Sequence, residues 1–166
     1  MKNIFSSLLL IILITGLSYC SKQETLTPKE EIIPVLSYLS FKQDTVPLTL
    51  STTTARKENV GNLFTTSIEG KFPDSIFKKN NLIIRVTGDS ARAYVASEIL
   101  ASYTDSLGNT YSNLISDTVN KVTITKMVKK KDGLVEGSFT IRVSNSTKTK
   151  TYLLKEGKFS TTFFDY

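Results

Sequence analysis

The segment Leu134–Ser144 alternates with a period of two: Val135, Phe139, Ile141 and Val143 fall on one side, and Glu136, Ser138, Thr140 and Arg142 on the other. Successive side chains of a strand point to opposite faces, so this segment reads as a strand with one face on a core and one in water. The preceding segment, Val119–Val128, answers with Val122, Ile124 and Val128 on its own inner face. Between the two lies Lys129-Lys130-Lys131-Asp132-Gly133, in which Asp132-Gly133 supplies the positive-φ positions of a tight hairpin turn. The triple lysine is a solvated hairpin tip that resists edge pairing, with contact to a polyanion or lipid headgroup as the sharper alternative.

The same period runs through most of the chain from Pro34 onward, in stretches rich in Val, Ile, Thr, Tyr and Phe separated by turn residues. Strands are expected at about 35–41, 46–52, 63–68, 82–87, 93–102, 110–115, 119–128, 134–144, 150–154 and 158–164. Ser106-Leu107-Gly108-Asn109 and Asn145-Ser146-Thr147 mark two of the turns. Phe159, Phe163, Phe164 and Tyr166 place the C-terminal strand in the core, although a ligand groove has the same composition. No helical stripe is sustained anywhere. The expected fold is all-β: an antiparallel β-sandwich or partly closed β-barrel of roughly eight to ten strands, with little or no helix outside the N-terminal apolar run.

That run is an address. Lys2 precedes Ile4-Phe5 and Leu8 to Ile14, and the tetrad Leu17-Ser18-Tyr19-Cys20 follows. A cationic start and an apolar stretch of about a dozen residues are what a secretory signal requires. The stretch is shorter than the roughly 20 residues of a spanning helix. The tetrad resembles the lipobox of bacterial lipoproteins: Leu17 and Ser18 match it, while Tyr19 stands where a small residue is usual. The resemblance implies a signal peptide over 1–19, lipidation of Cys20 and attachment to the membrane through that lipid. An ordinary signal peptide that contains a cysteine is the alternative. Residues 20–33 read as the lipidated cysteine and a flexible tether, polar and carrying Pro28, ahead of a single β domain over 34–166. Ser21-Lys22-Gln23-Glu24 resembles the short charged signals that send some lipoproteins of Bacteroidota to the outer face of the outer membrane. The expected location is the cell envelope: lipid-anchored at the outer membrane, periplasmic or surface-exposed.

Composition removes much of chemistry. Cys20 is the only cysteine, so no disulfide forms within the chain. With no histidine, Ser-His-Asp and Cys-His triads, His-bearing zinc sites and axial-His haem are excluded. Carboxylate, Lys or Tyr chemistry remains. The formal net charge of +6 becomes +5 once Lys2 leaves with the signal, and it is spread along the chain as a solvated surface rather than a nucleic-acid footprint. No metal and no cofactor is expected, and the protein is read as a monomer.

One tripeptide recurs: Asp44-Thr45-Val46, Asp74-Ser75-Ile76, Asp89-Ser90-Ala91, Asp105-Ser106-Leu107 and Asp117-Thr118-Val119 hold five of the seven aspartates. It resembles the acceptor motif of the general protein O-glycosylation system of Bacteroidota, which makes Thr45, Ser75, Ser90, Ser106 and Thr118 the acceptors. Asp-Ser/Thr pairs also open turns, because their side chains bond nearby backbone groups, and both readings stand.

Ile68-Glu69-Gly70-Lys71-Phe72, Leu82-Ile83-Ile84-Arg85-Val86-Thr87-Gly88, Gly137-Ser138-Phe139 and Glu156-Gly157-Lys158-Phe159 together resemble a family of uncharacterised all-β lipoprotein domains of Bacteroidota, over about residues 62–164. The resemblance implies the fold and carries across no catalytic residue. Two function classes follow. The first is a lipid-anchored, non-enzymatic envelope module that binds a protein, glycan or small molecule or serves structurally. The second is a hydrolase working through paired carboxylates, such as Glu69 with Asp74 or Glu98 with Asp105, which would have to face each other across about 5–10 Å. A barrel enclosing an apolar ligand is a further alternative.

Overall fold

The computed structural model describes residues 36–60, 63–72 and 79–166. Eleven strands follow one another: β1 (Tyr38–Gln43), β2 (Val46–Leu50), β3 (Thr52–Val60), β4 (Leu63–Lys71), β5 (Asn81–Thr87), β6 (Ala93–Tyr94), β7 (Ile99–Thr104), β8 (Thr110–Asn113), β9 (Lys121–Met127), β10 (Leu134–Ser144) and β11 (Thr151–Asp165). The described helical structure is one 3₁₀ turn, Ala96–Glu98. Among the described residues no helix is long and apolar enough to cross a membrane. Residues 34–166 form one compact unit; the expected signal peptide, Cys20 and tether lie outside the described residues.

The ladder closes on itself. From β11 it runs through β3, β4, β5, β7, β8 and β10, and β10 pairs again with β11. The closure is narrow at two places. β11 meets β3 only at Phe163↔Ala55 and Asp165↔Arg56, and β10 meets β8 only at Val143↔Asn113 and Ser144↔Ser112. Two short wings branch from the ring and pack onto the same core: β1–β2 from β11, and β9–β6 from β10. The architecture is thus all-β and partly closed, but not purely antiparallel, because the β11–β3 contact is parallel. Closure forces this: the last residues of β11 run beyond β1 and meet the nearest free strand edge in the direction it offers.

The alternation of the sequence decides what fills the ring. Leu82, Ile84 and Val86 of β5, Ile99, Ala101 and Tyr103 of β7, Val122 and Ile124 of β9, and Val135, Phe139, Ile141 and Val143 of β10 are all buried in one cluster. Each fully buried aliphatic or aromatic side chain contributes about 1.5–3 kcal/mol relative to exposure. The β9–β10 hairpin forms in the expected pairing, with Phe139 opposite Val122.

Several boundaries differ from the sequence reading. β3 falls where no full strand is expected: Thr52-Thr53-Thr54-Ala55-Arg56-Lys57-Glu58-Asn59-Val60 reads as polar, and over 52–59 Ala55 is the one residue buried in the core. It is held by a full antiparallel ladder to β4, from Thr52↔Lys71 to Val60↔Leu63. The expected strand at 93–102 is instead β6, the 3₁₀ turn and β7. The two expected C-terminal strands are one, β11, which passes through a bulge where Glu156 takes φ 54°. In the β9–β10 connection only Asp132 has positive φ (59°). Gly133 serves close approach instead: a Cβ there would collide with the Val128 carbonyl oxygen.

Candidate functional site

The outer face of β9 carries the site. Val122 and Ile124 point into the core, which turns Lys121 and Thr123 outward. On one edge β9 meets the two-residue strand β6 through Ala93↔Thr123 and Tyr94↔Val122; on the other it meets β10.

Beside β6 the chain is fixed by a carboxylate. Glu98 accepts hydrogen bonds from the Val95 N–H (3.1 Å) and from Arg92 (2.6 and 3.0 Å). The Arg92 guanidinium, then the Val95 N–H, draw the Glu98 carboxyl down to about 2. Across from it the β8–β9 connection is equally tied. Asn120 is buried, donating to the Leu114 carbonyl (2.8 Å) and accepting from the Arg142 N–H (2.8 Å). Asp117 accepts from the Val119 N–H (3.0 Å) and from the Arg142 side chain (3.1 Å).

These two braced segments are the walls of a groove of about 520 Å³, lined by Ala93, Val95, Ala96, Ile115, Thr118 and Lys121 among others. Val95 is 60% exposed and Ile115 56%, so the lining presents apolar surface to solvent.

A second hollow, about 470 Å³, lies on the other side of β9 and shares Lys121 and Thr123 with the groove. Its floor is a sheet row, Thr123↔Ser138↔Lys158, with Thr140 opposite Lys121 in a neighbouring row. The bulge in β11 shapes it. Phe139 pairs with Gly157 and Ile141 with Leu154, so Lys155 and Glu156 together face Thr140. Glu156 then reaches Lys42 at 2.6 Å, and that ammonium holds its carboxyl below the ordinary glutamate range. Neither Lys121 nor Lys158 has an ion-pair partner among the described residues.

Of the residues singled out in the sequence, Cys20 and Ser75 lie outside the described residues. Thr45, Ser90, Ser106 and Thr118 are all exposed, each in a different turn or bend. Their aspartates carry structure. Asp44 accepts from the Leu153 N–H (3.0 Å), and Asp105 accepts from the Leu107 and Asn109 N–H groups (2.9 Å each). Burial pushes the Asp105 carboxyl up, but those bonds, with the Asn109 side chain and the Tyr111 hydroxyl, bring it below the ordinary value. Thr118 lines the apolar groove, and Ser106 lines a third hollow with Gln43, Val46, Leu48, Phe72 and Asn80.

The paired-carboxylate geometry is not formed by Glu98 and Asp105. They bracket β7 at its two ends, about 23 Å apart at roughly 3.3 Å per residue. Glu69 is in β4, and Asp74 lies outside the described residues. Among the described residues no three His, Cys, Asp or Glu side chains come together as a metal site. The groove itself had no sequence signal, because Val95 and Ile115 are separate apolar residues until pairing of β6 with β9 brings their segments together. Comparison with protein-family models, with curated proteins and with solved structures finds no match for the chain.

Proposed function

We propose that the chain is a lipid-anchored cell-envelope protein whose β domain is a non-enzymatic binding module, engaging its ligand or partner through the outer face of β9. The observation that carries the binding reading is the groove: a concave, apolar, braced surface of the size typical of ligand sites, with Lys121 on its rim lacking an ion-pair partner among the described residues. The anchoring reading rests on Lys2, the apolar run and the tetrad ending in Cys20. It includes the resemblance to uncharacterised all-β lipoprotein domains of Bacteroidota, with the protein held at the outer membrane and facing the periplasm or the outside.

Exposure of Thr45, Ser90, Ser106 and Thr118 on turns suits them as O-glycosylation acceptors, with Ser75 as the fifth. A glycan on Thr118 would stand in the groove wall, so modification there and occupancy of the groove exclude each other.

Purification from the native envelope tests the whole reading. Wild-type protein should bring down a species that the Val95→Asp/Ile115→Asp variant does not, and identical co-purification by both overturns the assignment of this face. Intact mass tests the modifications: absence of acyl mass on Cys20 refutes the lipid anchor, and absence of mass beyond polypeptide and lipid refutes glycosylation.

A further inference from the structure

The groove and the cationic hollow meet at Lys121, and their chemistries are complementary to the two ends of one kind of molecule. On the groove side the lining is Ala93, Val95, Ala96 and Ile115, and its volume of about 520 Å³ falls among pockets that hold a single small ligand. On the hollow side stand Lys121 and Lys158 with the hydroxyls of Thr123, Ser138 and Thr140.

The charge balance here is decided by which carboxylates are already engaged. Glu98, next to the groove lining, is bound by Arg92 at 2.6 Å. Asp117, next to Ser116 and Thr118, is bound by Arg142 at 3.1 Å. Glu156, in the hollow, is bound by Lys42 at 2.6 Å. All three acids are thus matched by other cations in direct contact; Lys158 feels Glu156 only at longer range, and neither it nor Lys121 forms an ion pair among the described residues. A neutral ligand would cover Lys121 without compensating it, and a cationic one would be repelled. An anionic head meets two ammonium groups and hydroxyl donors in two adjacent sheet rows.

We propose that this face binds a single-chain anionic amphiphile, with its alkyl chain along the groove between Val95 and Ile115 and its carboxylate or phosphate on the Lys121 and Lys158 side of β9. The proposal rests on the reading of this face as a ligand site, and it adds the ligand's chemistry.

The chain contains no tryptophan, so a single introduced indole is a lone reporter. In the full-length protein, Ser97→Trp puts that reporter in the groove lining, and Thr147→Trp puts it on the distant β10–β11 turn. Dodecanoate brominated along its chain, titrated below its micellar concentration, should quench the groove reporter saturably and leave the turn reporter unaffected. Lys121→Gln/Lys158→Gln should weaken that quenching about 10-fold or more, and Lys121→Arg/Lys158→Arg should restore it. Equal quenching of the groove reporter by the brominated methyl ester would overturn the anionic assignment while leaving an apolar ligand site in place. Quenching of that reporter by neither compound would remove the ligand-site reading as well. If brominated phosphatidylglycerol vesicles quench it and free dodecanoate does not, the face docks on a bilayer and the single-chain proposal fails.

Discussion

The ring of Phe139 lies over Gly157, so close that a Cβ there would sit 2.5 Å from its Cζ. The relationship is reciprocal. Phe159 occupies the corresponding place over Gly137, where a Cβ would meet its Cζ at 2.5 Å, and the two pairs are opposite one another in the β10–β11 register. Gly-Ser-Phe and Gly-Lys-Phe are therefore one device used twice, in which each strand's glycine makes room for the other strand's aromatic ring. Gly157→Ala should destabilise the domain by about 1–3 kcal/mol by overpacking. Urea unfolding should show the midpoint fall, and Phe139→Leu added to Gly157→Ala should recover part of the loss.

Thr161 faces the core between Phe159 and Phe163, fully buried, and its hydroxyl has no hydrogen-bond partner among the described residues. Replacing it with the isosteric valine removes an unmatched polar group. Thr161→Val should raise stability by about 1 kcal/mol in the same unfolding experiment. A loss of stability would mean that the hydroxyl is bonded after all.

Asp89 joins segments far apart in the chain. It reaches Lys129 at 3.2 Å, Lys57 at 3.4 Å and the Tyr166 hydroxyl at 3.2 Å. Burial pushes its carboxyl up, but Lys129, Tyr166 and Lys57 outweigh that and hold it below the ordinary value. Ion pairs this exposed contribute up to about 1 kcal/mol, so Asp89→Asn should change global stability little. It should instead loosen the β9–β10 connection where Asp132 and Gly133 bond the backbone of Phe163. Faster amide exchange at Asp132 and Phe163, with unchanged exchange in β5, is the expected signature.

Acid should release the turn that forms one wall of the groove. The folded Glu98 carboxyl sits at about 2 against an ordinary 4.5, so its contribution is complete above pH 4.5 and is lost as pH falls toward 2. Other carboxylates with lowered values share part of this window. The difference between wild type and Glu98→Gln isolates the Arg92 pairing: the two stability curves should converge as pH falls from 4.5 to 2.

The strands with strict alternation were legible in the sequence, β5, β9 and β10 above all, because burial on one face imposes a period of two on the chain itself. β3 was not, since its ladder uses backbone groups that every residue possesses and over 52–59 its side chains bury little beyond Ala55. The bulge at Glu156 was hidden for a related reason. A break in side-chain alternation looks like a turn when the strand's partners are unknown, and the ladders to β1 and β10 on either side show that β11 continues. The recurring aspartates were visible as a pattern, and their bonds to Leu107, Asn109, Val119 and Leu153 account for their position at turns.

By itself the sequence determined the all-β class, the β9–β10 hairpin and the inward set Val135, Phe139, Ile141 and Val143, because these depend on neighbours a few residues apart and on partition between core and water. The tertiary structure alone decided the ring closure through β11, the parallel meeting with β3, and the groove beside β9. Each of these joins residues distant in the chain, such as Ala93 and Thr123 or Ala55 and Phe163, and their meeting depends on the register of the whole sheet rather than on any local preference. The same holds for the charge on Lys121 and Lys158. The sequence supplies fifteen acidic residues against twenty-one basic ones, and only the folded pairing of Arg92, Arg142 and Lys42 leaves these two lysines without an ion pair among the described residues.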